Sequence, residues 1–190
     1  MTGSKAKVLV ACEMSGVVRR AFREKGIEAW SIDKEQSLDN SEYHIVGDVL
    51  DYLDKGWDLM IAHPPCDHLA VCGARWFKGK EEKQKFALDF VLTLLEANIP
   101  RIALENPVSI ISTKIRKPDQ IIQPWQFGHG ETKRTCLWLK NLPKLQYTDI
   151  VSGRYPRVHR MAPSKDRAML RSITYEGIAK AMASQWGILI

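Results

Sequence analysis

Short apolar runs alternating with helical-period segments are the feature that most constrains how this chain can fold. Lys7 to Ala11, with Val8-Leu9-Val10 at its centre, Leu59-Met60-Ile61-Ala62 and Ile102-Ala103-Leu104 contain almost no polar residue inside the run. Such runs read as strands buried on both faces, and strands of that kind belong to parallel sheets covered by helices on each side. Between them, Val17, Val18, Ala21 and Phe22 fall at helical spacing and predict a helix over 17–25, stopped by Gly26. Ile27 to Ile32 and Tyr43 to Val46 are predicted as the second and third strands, Leu59 to Ala62 as the fourth. From Glu81 to Ala97, Phe86, Phe90, Leu94 and Ala97 share one face, with Ala87, Val91 and Leu95 beside them, which predicts a long amphipathic helix. A strand over 101–104 follows, then a later strand around Leu137-Trp138-Leu139 and a final helix from Tyr175 to Trp186 ended by Gly187. The pattern is that of an α/β domain, whose sites lie at the carboxyl ends of its strands.

Two of those strand ends carry chemistry. The fourth predicted strand leads into Pro64-Pro65-Cys66, where two prolines fix the backbone and remove two donors, so the thiol sits in a stiff loop. A positioned thiolate is a strong nucleophile. The next strand ends in Glu105-Asn106-Pro107, which places a carboxylate at an equivalent strand end. A nucleophilic Cys and a proton-donating Glu on neighbouring strands are the two groups needed to add to a pyrimidine ring. An inert buried thiol is the plain alternative for Cys66.

With these motifs in this order, the chain resembles the DNA cytosine carbon-5 methyltransferases. PPC and ENP, a variant of the family's ENV, carry the resemblance; the turn Cys12-Glu13-Met14-Ser15-Gly16 resembles the donor-binding motif, and Gly47-Asp48-Val49 the adenine-side motif. The resemblance runs from about residue 7 to the C-terminus with one large gap. It implies a Rossmann-like S-adenosylmethionine-dependent methyltransferase fold, a mostly parallel central sheet flanked by helices. It also implies a covalent mechanism. Cys66 adds to cytosine carbon 6, Glu105 hydrogen-bonds N3, carbon 5 takes the methyl group of S-adenosylmethionine, and β-elimination frees the product from a cytosine flipped out of DNA.

The resemblance places Glu13, Met14, Ser15, Gly16, Asp33, Lys34, Asp48, Val49 and Pro64 against the cofactor. It places Pro65, Asn106, Lys133, Arg134, Arg154, Arg157 and Arg160 against the substrate or DNA. An acid about 20 residues after the first turn, as Asp33 is, can hold ribose hydroxyls, or it can simply cap a loop. Asp48 accepts from the adenine amino group or serves as a turn residue. The Ser15 and Gly16 amides meet the methionine carboxylate, or Ser15 merely caps the helix. The first turn departs from the family in lacking an aromatic residue and further glycine, and Glu131-Thr132-Lys133-Arg134-Thr135 matches the family's Gln-x-Arg-x-Arg poorly. Ser172, Thr174 and Tyr175 occupy the region that closes the donor site in the family.

His63, Cys66, His68 and Cys72 fall within ten residues and invite zinc. The spacing is not that of nucleobase deaminases, so a zinc deaminase is the distant alternative; we expect no metal, with His68 and Cys72 as loop residues. With 190 residues the chain is expected to form one catalytic domain spanning 1–190. No signal-peptide pattern or membrane-spanning run is visible, and four unevenly spaced cysteines do not form a disulfide framework. A reducing cytoplasm is the expected location, bacterial or of a virus-infected host cell, for a small member of viral type.

Net charge is +6, but residues 1–100 hold 13 Lys and Arg against 16 Asp and Glu, whereas residues 101–190 hold 15 against 6. A polyanion on one side of the molecule is the implied partner, a basic surface the plain alternative. Only about 25 to 30 residues lie between Leu139 and the last motif region, too few for a separate recognition domain. The basic segment 151–171, with Arg154, Arg157 and Arg160 interleaved with Tyr155, stands in its place as a nucleic-acid contact or a basic loop. Two variants of the function stay open: transfer of a carboxymethyl group from carboxy-S-adenosylmethionine, and a catalytically silent DNA-binding or regulatory relative.

Overall fold

The computed structural model describes residues 6–71 and 79–190. Among these residues seven strands form one sheet in the order β3-β2-β1-β4-β5-β7-β6. They are β1 (Lys7–Ala11), β2 (Glu28–Asp33), β3 (His44–Val46), β4 (Leu59–Ala62), β5 (Arg101–Pro107), β6 (Gln120–Ile122) and β7 (Thr135–Lys140). The first five pair with one another in parallel, and β7 runs antiparallel between β5 and β6. The Rossmann-like α/β fold with a mostly parallel sheet flanked by helices is therefore the fold found.

Two-residue alternation sends side chains to opposite faces, and in the central strands both faces are apolar. Val8, Val10, Leu59 and Ile61 pack with Val18 and Phe22 of α1 (Val17–Arg23) and with Ile178, Met182 and Trp186 of α6 (Glu176–Trp186). Leu9, Met60, Ile102 and Leu104 face the other way, onto Val91 and Leu94 of α2 (Glu81–Glu96). Three short helices, α3 (Ile111–Lys114), α4 (Arg157–Arg160) and α5 (Arg167–Ser172), complete the described α-helices, and 3-10 turns lie at Val49–Tyr52, Pro124–Gln126 and Gly187–Leu189. Indole donors in this core have partners: Trp138 Nε1 donates to the Arg116 carbonyl at 2.7 Å and Trp186 Nε1 to that of Pro143 at 2.9 Å.

The structure corrects three sequence expectations. β5 does not end before Glu105 but runs through Pro107, because the antiparallel β7 keeps pairing with it to Thr135. Phe86 does not join the buried stripe of α2; it is 82% exposed, since the first turns of that helix project past the packed core while Val91 and Leu94 lie on the sheet. Gly187 ends α6 as expected, with φ −63°, and a Cβ there would sit 2.5 Å from Ile27 Cδ1, which would have to shift. β2 is displaced by one residue, to Glu28–Asp33. At Gly26, by contrast, φ is 76°, the left-handed conformation expected past the end of α1.

The chain leaves β1 toward β2 on one side and returns through β4 on the other. Strand order reverses there, and in open α/β sheets the crevice at the carboxyl ends beside such a point is where ligands bind.

Candidate active site at the carboxyl end of the sheet

Past Ala62 the backbone keeps parallel pairing for one more residue, with the His63 N–H donating to the Ala11 carbonyl at 2.9 Å. Pro64 is then buried, Pro65 exposed and Cys66 partly buried. The Cys66 carbonyl accepts from Leu69 N at 3.0 Å and Ala70 N at 2.9 Å, which turns the chain sharply after the thiol. Asn106 fixes this loop: its Nδ2 donates to the Pro64 carbonyl at 3.0 Å in a buried contact. Val71 N to Val108 O at 3.1 Å and Ile110 N to Leu69 O at 2.9 Å stitch the same two loops further out. The tripeptide after β4 and the one ending β5 thus form one unit, and Asn106 acts within it as a clasp.

Glu105, beside Asn106, is buried against His63. Register pairs Ala62 with Leu104, so the next residues along the two strands, His63 and Glu105, are neighbours. His63 Nδ1 lies 2.9 Å from Glu105 Oε2, with side-chain exposures of 13% and 10%. Thr174 Oγ1, ahead of α6, reaches the same oxygen at 3.5 Å. Burial alone would raise the Glu105 carboxyl, but the His63 hydrogen bond and the charges of His63 and Lys133 outweigh it and hold the carboxyl below its usual value. Burial likewise works against a charged His63, and Glu105 outweighs it, so the imidazole is raised above its usual value. Sequence reasoning weighed His63 only as a metal ligand. The register of β4 and β5 was the signal that it meets Glu105.

On the α2 side of the sheet edge lies a cavity of about 660 Å³. Cys12, Asp33, Lys34, Asp48 and Val49 wall one side, Pro65 and His68 another, and Phe86 and Phe90 of α2 a third. The exposed Phe86 is thus a wall residue of this cavity. Asp33 Oδ1 accepts from Glu35 N at 3.0 Å. Asp48 Oδ1 accepts from Leu50 N at 3.1 Å, and its Oδ2 pairs with Lys34 Nζ at 3.1 Å. The Leu50 N–H and then Lys34 hold the Asp48 carboxyl low. Cys12 also faces this space, but burial, then Asp33 and Asp48, push its thiol up to about 12, so it stays neutral.

Glu13, Met14, Ser15, Gly16 and Pro64 do not line the cavity. Glu13 is buried and caps α1: Oε1 accepts from Val18 N at 2.7 Å and from Ser15 Oγ at 3.2 Å, and Oε2 from Arg19 N at 3.2 Å. These helix donors are already satisfied. Gly16 is left-handed at φ 69°, and a Cβ there would lie 2.8 Å from Asp39 Oδ2.

Of the basic residues, Lys133 comes closest to the buried pair; its Nζ donates to the Ile173 carbonyl at 3.2 Å, and its charge acts on both His63 and Glu105. Arg134 is exposed. Arg154 stacks on Trp125, 3.7 Å from the ring centroid, and Arg160 lies 5.9 Å from that of Tyr155. Arg157 Nε donates to both oxygens of Glu131 at 2.9 Å, and Tyr175 donates to the same carboxylate at 2.6 Å. Gly153 and Gly130 cross so closely that a Cβ on Gly153 would meet Gly130 Cα at 2.7 Å. The basic segment is therefore pinned to the body of the protein.

Among the described residues no group of three or more His, Cys, Asp or Glu could hold a metal ion, and Cys72 lies outside them. No helix of the described residues is long and apolar enough to cross a membrane. No family model matches the chain, and no curated protein matches it. Among solved structures, a mutant of Spodoptera frugiperda DNMT2 aligns with 77% of this chain and 54% of its own, at 16% identity and a TM-score of 0.47. The chain thus spans about half the length of that neighbour, and a likeness of this degree carries no functional argument.

Proposed function

We propose that this chain is a DNA cytosine carbon-5 methyltransferase using S-adenosylmethionine, its described body and the basic segment 151–171 acting as one catalytic domain. The observation that carries the reading is the Asn106–Pro64 clasp, which binds the Cys66 loop to the strand bearing Glu105 at the rim of the cavity. Nucleophile and carboxyl are thereby held on adjacent strands as one unit, as an addition to a flat ring requires.

The residues present fit the nucleoside end of the cofactor. About 660 Å³ lies within the range of small-molecule sites. Asp33 and Asp48 offer acceptors for ribose hydroxyls and an exocyclic amine, and Phe86, Phe90 and Val49 an apolar surface for a purine. When bound, S-adenosylmethionine supplies an electrophilic methyl group on its sulfonium. Cys66 supplies the thiolate that bonds to carbon 6, and Pro64 and Pro65 keep it from swinging away. Glu105 holds the ring at N3 and stabilises the charge shifted there. Lys133 lends positive potential beside Glu105. With so little chain for groove contacts, the basic segment supplies phosphate pairing, and target preference is short.

Purified protein, S-adenosylmethionine and unmodified DNA are incubated, and the DNA is digested to nucleosides for mass analysis. The proposal expects 5-methylcytosine with wild type and none with Cys66→Ala. Unmodified DNA from folded wild-type protein, or a modification on another base, refutes it. A parallel incubation with carboxy-S-adenosylmethionine as donor, read by the mass of the added group, separates methyl from carboxymethyl transfer.

A further inference from the structure

We infer that His63 is the positioning residue that keeps Glu105 supplied with the proton it gives to cytosine N3. This role presupposes the covalent addition proposed above. It comes from the register of β4 and β5: a buried imidazole stands directly before the two prolines, opposite the carboxyl.

N3 of cytosine presents a lone pair, so a group facing it must donate. A bare carboxylate cannot. Yet Glu105 sits against His63 in an arrangement, 2.9 Å apart and nearly enclosed, that favours carboxylate and imidazolium. Both contacts to Glu105 among the described residues, from His63 and Thr174, fall on Oε2, which leaves Oε1 for the base. On the other side of the imidazole, Nε2 is buried with no hydrogen-bond partner among the described residues. The groups facing His63 come from four places. Glu105 of β5 and Glu13 after β1 favour its charge, Lys133 ahead of β7 opposes it, and Thr174 ahead of α6 touches the shared oxygen.

The pair therefore stores one proton beyond the Nδ1–H that bridges it. At rest both protons sit on the imidazole; opposite N3 the bridging proton crosses from Nδ1 to the Glu105 carboxyl, which turns that O–H toward N3, and the ring keeps its other proton on Nε2. As the Cys66 Sγ–carbon 6 bond forms, the proton passes to N3. The pair goes from neutral to singly negative while the thiolate's charge is consumed in a neutral adduct. After carbon 5 has taken the methyl group, its own proton leaves to solvent and the Sγ–carbon 6 bond breaks. N3 then returns its proton to the pair.

Two measurements test the role. Imidazole ¹⁵N resonances of His63 are titrated in the free protein, wild type and Glu105→Gln. The wild-type ring should keep its second proton above the ordinary histidine range and lose it at lower pH in Glu105→Gln; identical titrations overturn the pair. The pH dependence of transfer is then compared for wild type and His63→Asn, which retains a donor near Nδ1 but no titratable proton. The alkaline limb should move to lower pH by about one unit or more, with kcat at pH 8 down roughly tenfold or more and KM for S-adenosylmethionine unchanged. An unmoved limb overturns proton supply by His63. Should His63→Asn fail to fold, His63→Gln takes its place under the same criteria. Wild type inactive on every DNA overturns the functional proposal and this role with it, whereas an active enzyme with an unmoved limb overturns the role alone.

Discussion

Asn106→Ala should damage the protein twice, once in stability and once in rate. Asn106 is 1% exposed and its amide donates to the carbonyl of buried Pro64 at 3.0 Å. Truncation leaves that carbonyl without this donor, which costs about 1–3 kcal/mol, and opens a small void beside it. For a domain of this size each kcal/mol lowers the melting temperature by about 2–4 °C, so a fall of about 2 to 12 °C is expected by scanning calorimetry. The clasp also sets where Cys66 stands, and a misplacement of about 1 Å at a reacting group costs on the order of a hundredfold. Single-turnover transfer should therefore slow by roughly that factor. Asn106→Asp conserves volume but sets a carboxylate against the carbonyl, and it should do no better. A variant that melts within about 1 °C of wild type would refute the energetic reasoning. One that is destabilised but transfers at the wild-type rate would refute loop positioning.

Arg19 is 1% exposed and paired with Asp39; burial there disfavours ionisation, but Arg19 and Arg20 outweigh it and hold the Asp39 carboxyl well below the usual range. Asp39→Asn should cost about 3 kcal/mol in urea unfolding at pH 7. Because the folded carboxyl is depressed, this difference is full above pH about 4 and shrinks as pH falls further; a difference unchanged into strong acid would contradict it. Asp33→Ala and Asp48→Ala should each weaken S-adenosylmethionine binding by about tenfold in calorimetry, and unchanged affinity in both would misplace the cofactor. Arg160→Ala should weaken binding to all DNA sequences alike and lower the salt slope by about one phosphate contact. Arg157→Ala should instead lower the melting temperature, because it strips Glu131 of the Nε–H shared by its two oxygens, and no thermal effect would deny that link.

The runs at β1, β4 and the start of β5 were legible because strands buried on both faces carry no polar residue to confuse the pattern. Cys66 and Glu105 on neighbouring strands followed from the same runs. The full length of β5 was not legible: ENP reads as a loop, and only the antiparallel β7 keeps it extended through a proline. Neither β6 nor α3, α4 and α5 shows in the sequence, since three to six residues are too few to display a period. Phe86 looked like core because helical spacing reports a face and not what covers it. The contacts of Asn106 and His63 were not legible for the same kind of reason: the sequence points Asn106 toward substrate and weighs His63 only within a metal cluster that it sets aside, because a side chain's type limits its partners but register chooses among them.

Trapping the covalent intermediate tests the central claim most directly. DNA containing 5-fluorocytosine cannot lose its carbon 5 substituent after methyl transfer, so the β-elimination that would release Cys66 is blocked. Wild-type protein with this DNA and S-adenosylmethionine should yield a stable adduct, mapped by peptide mass analysis to Cys66 and absent in Cys66→Ala. A preparation that methylates ordinary DNA yet gives no adduct, or one attached at another residue, would contradict the account.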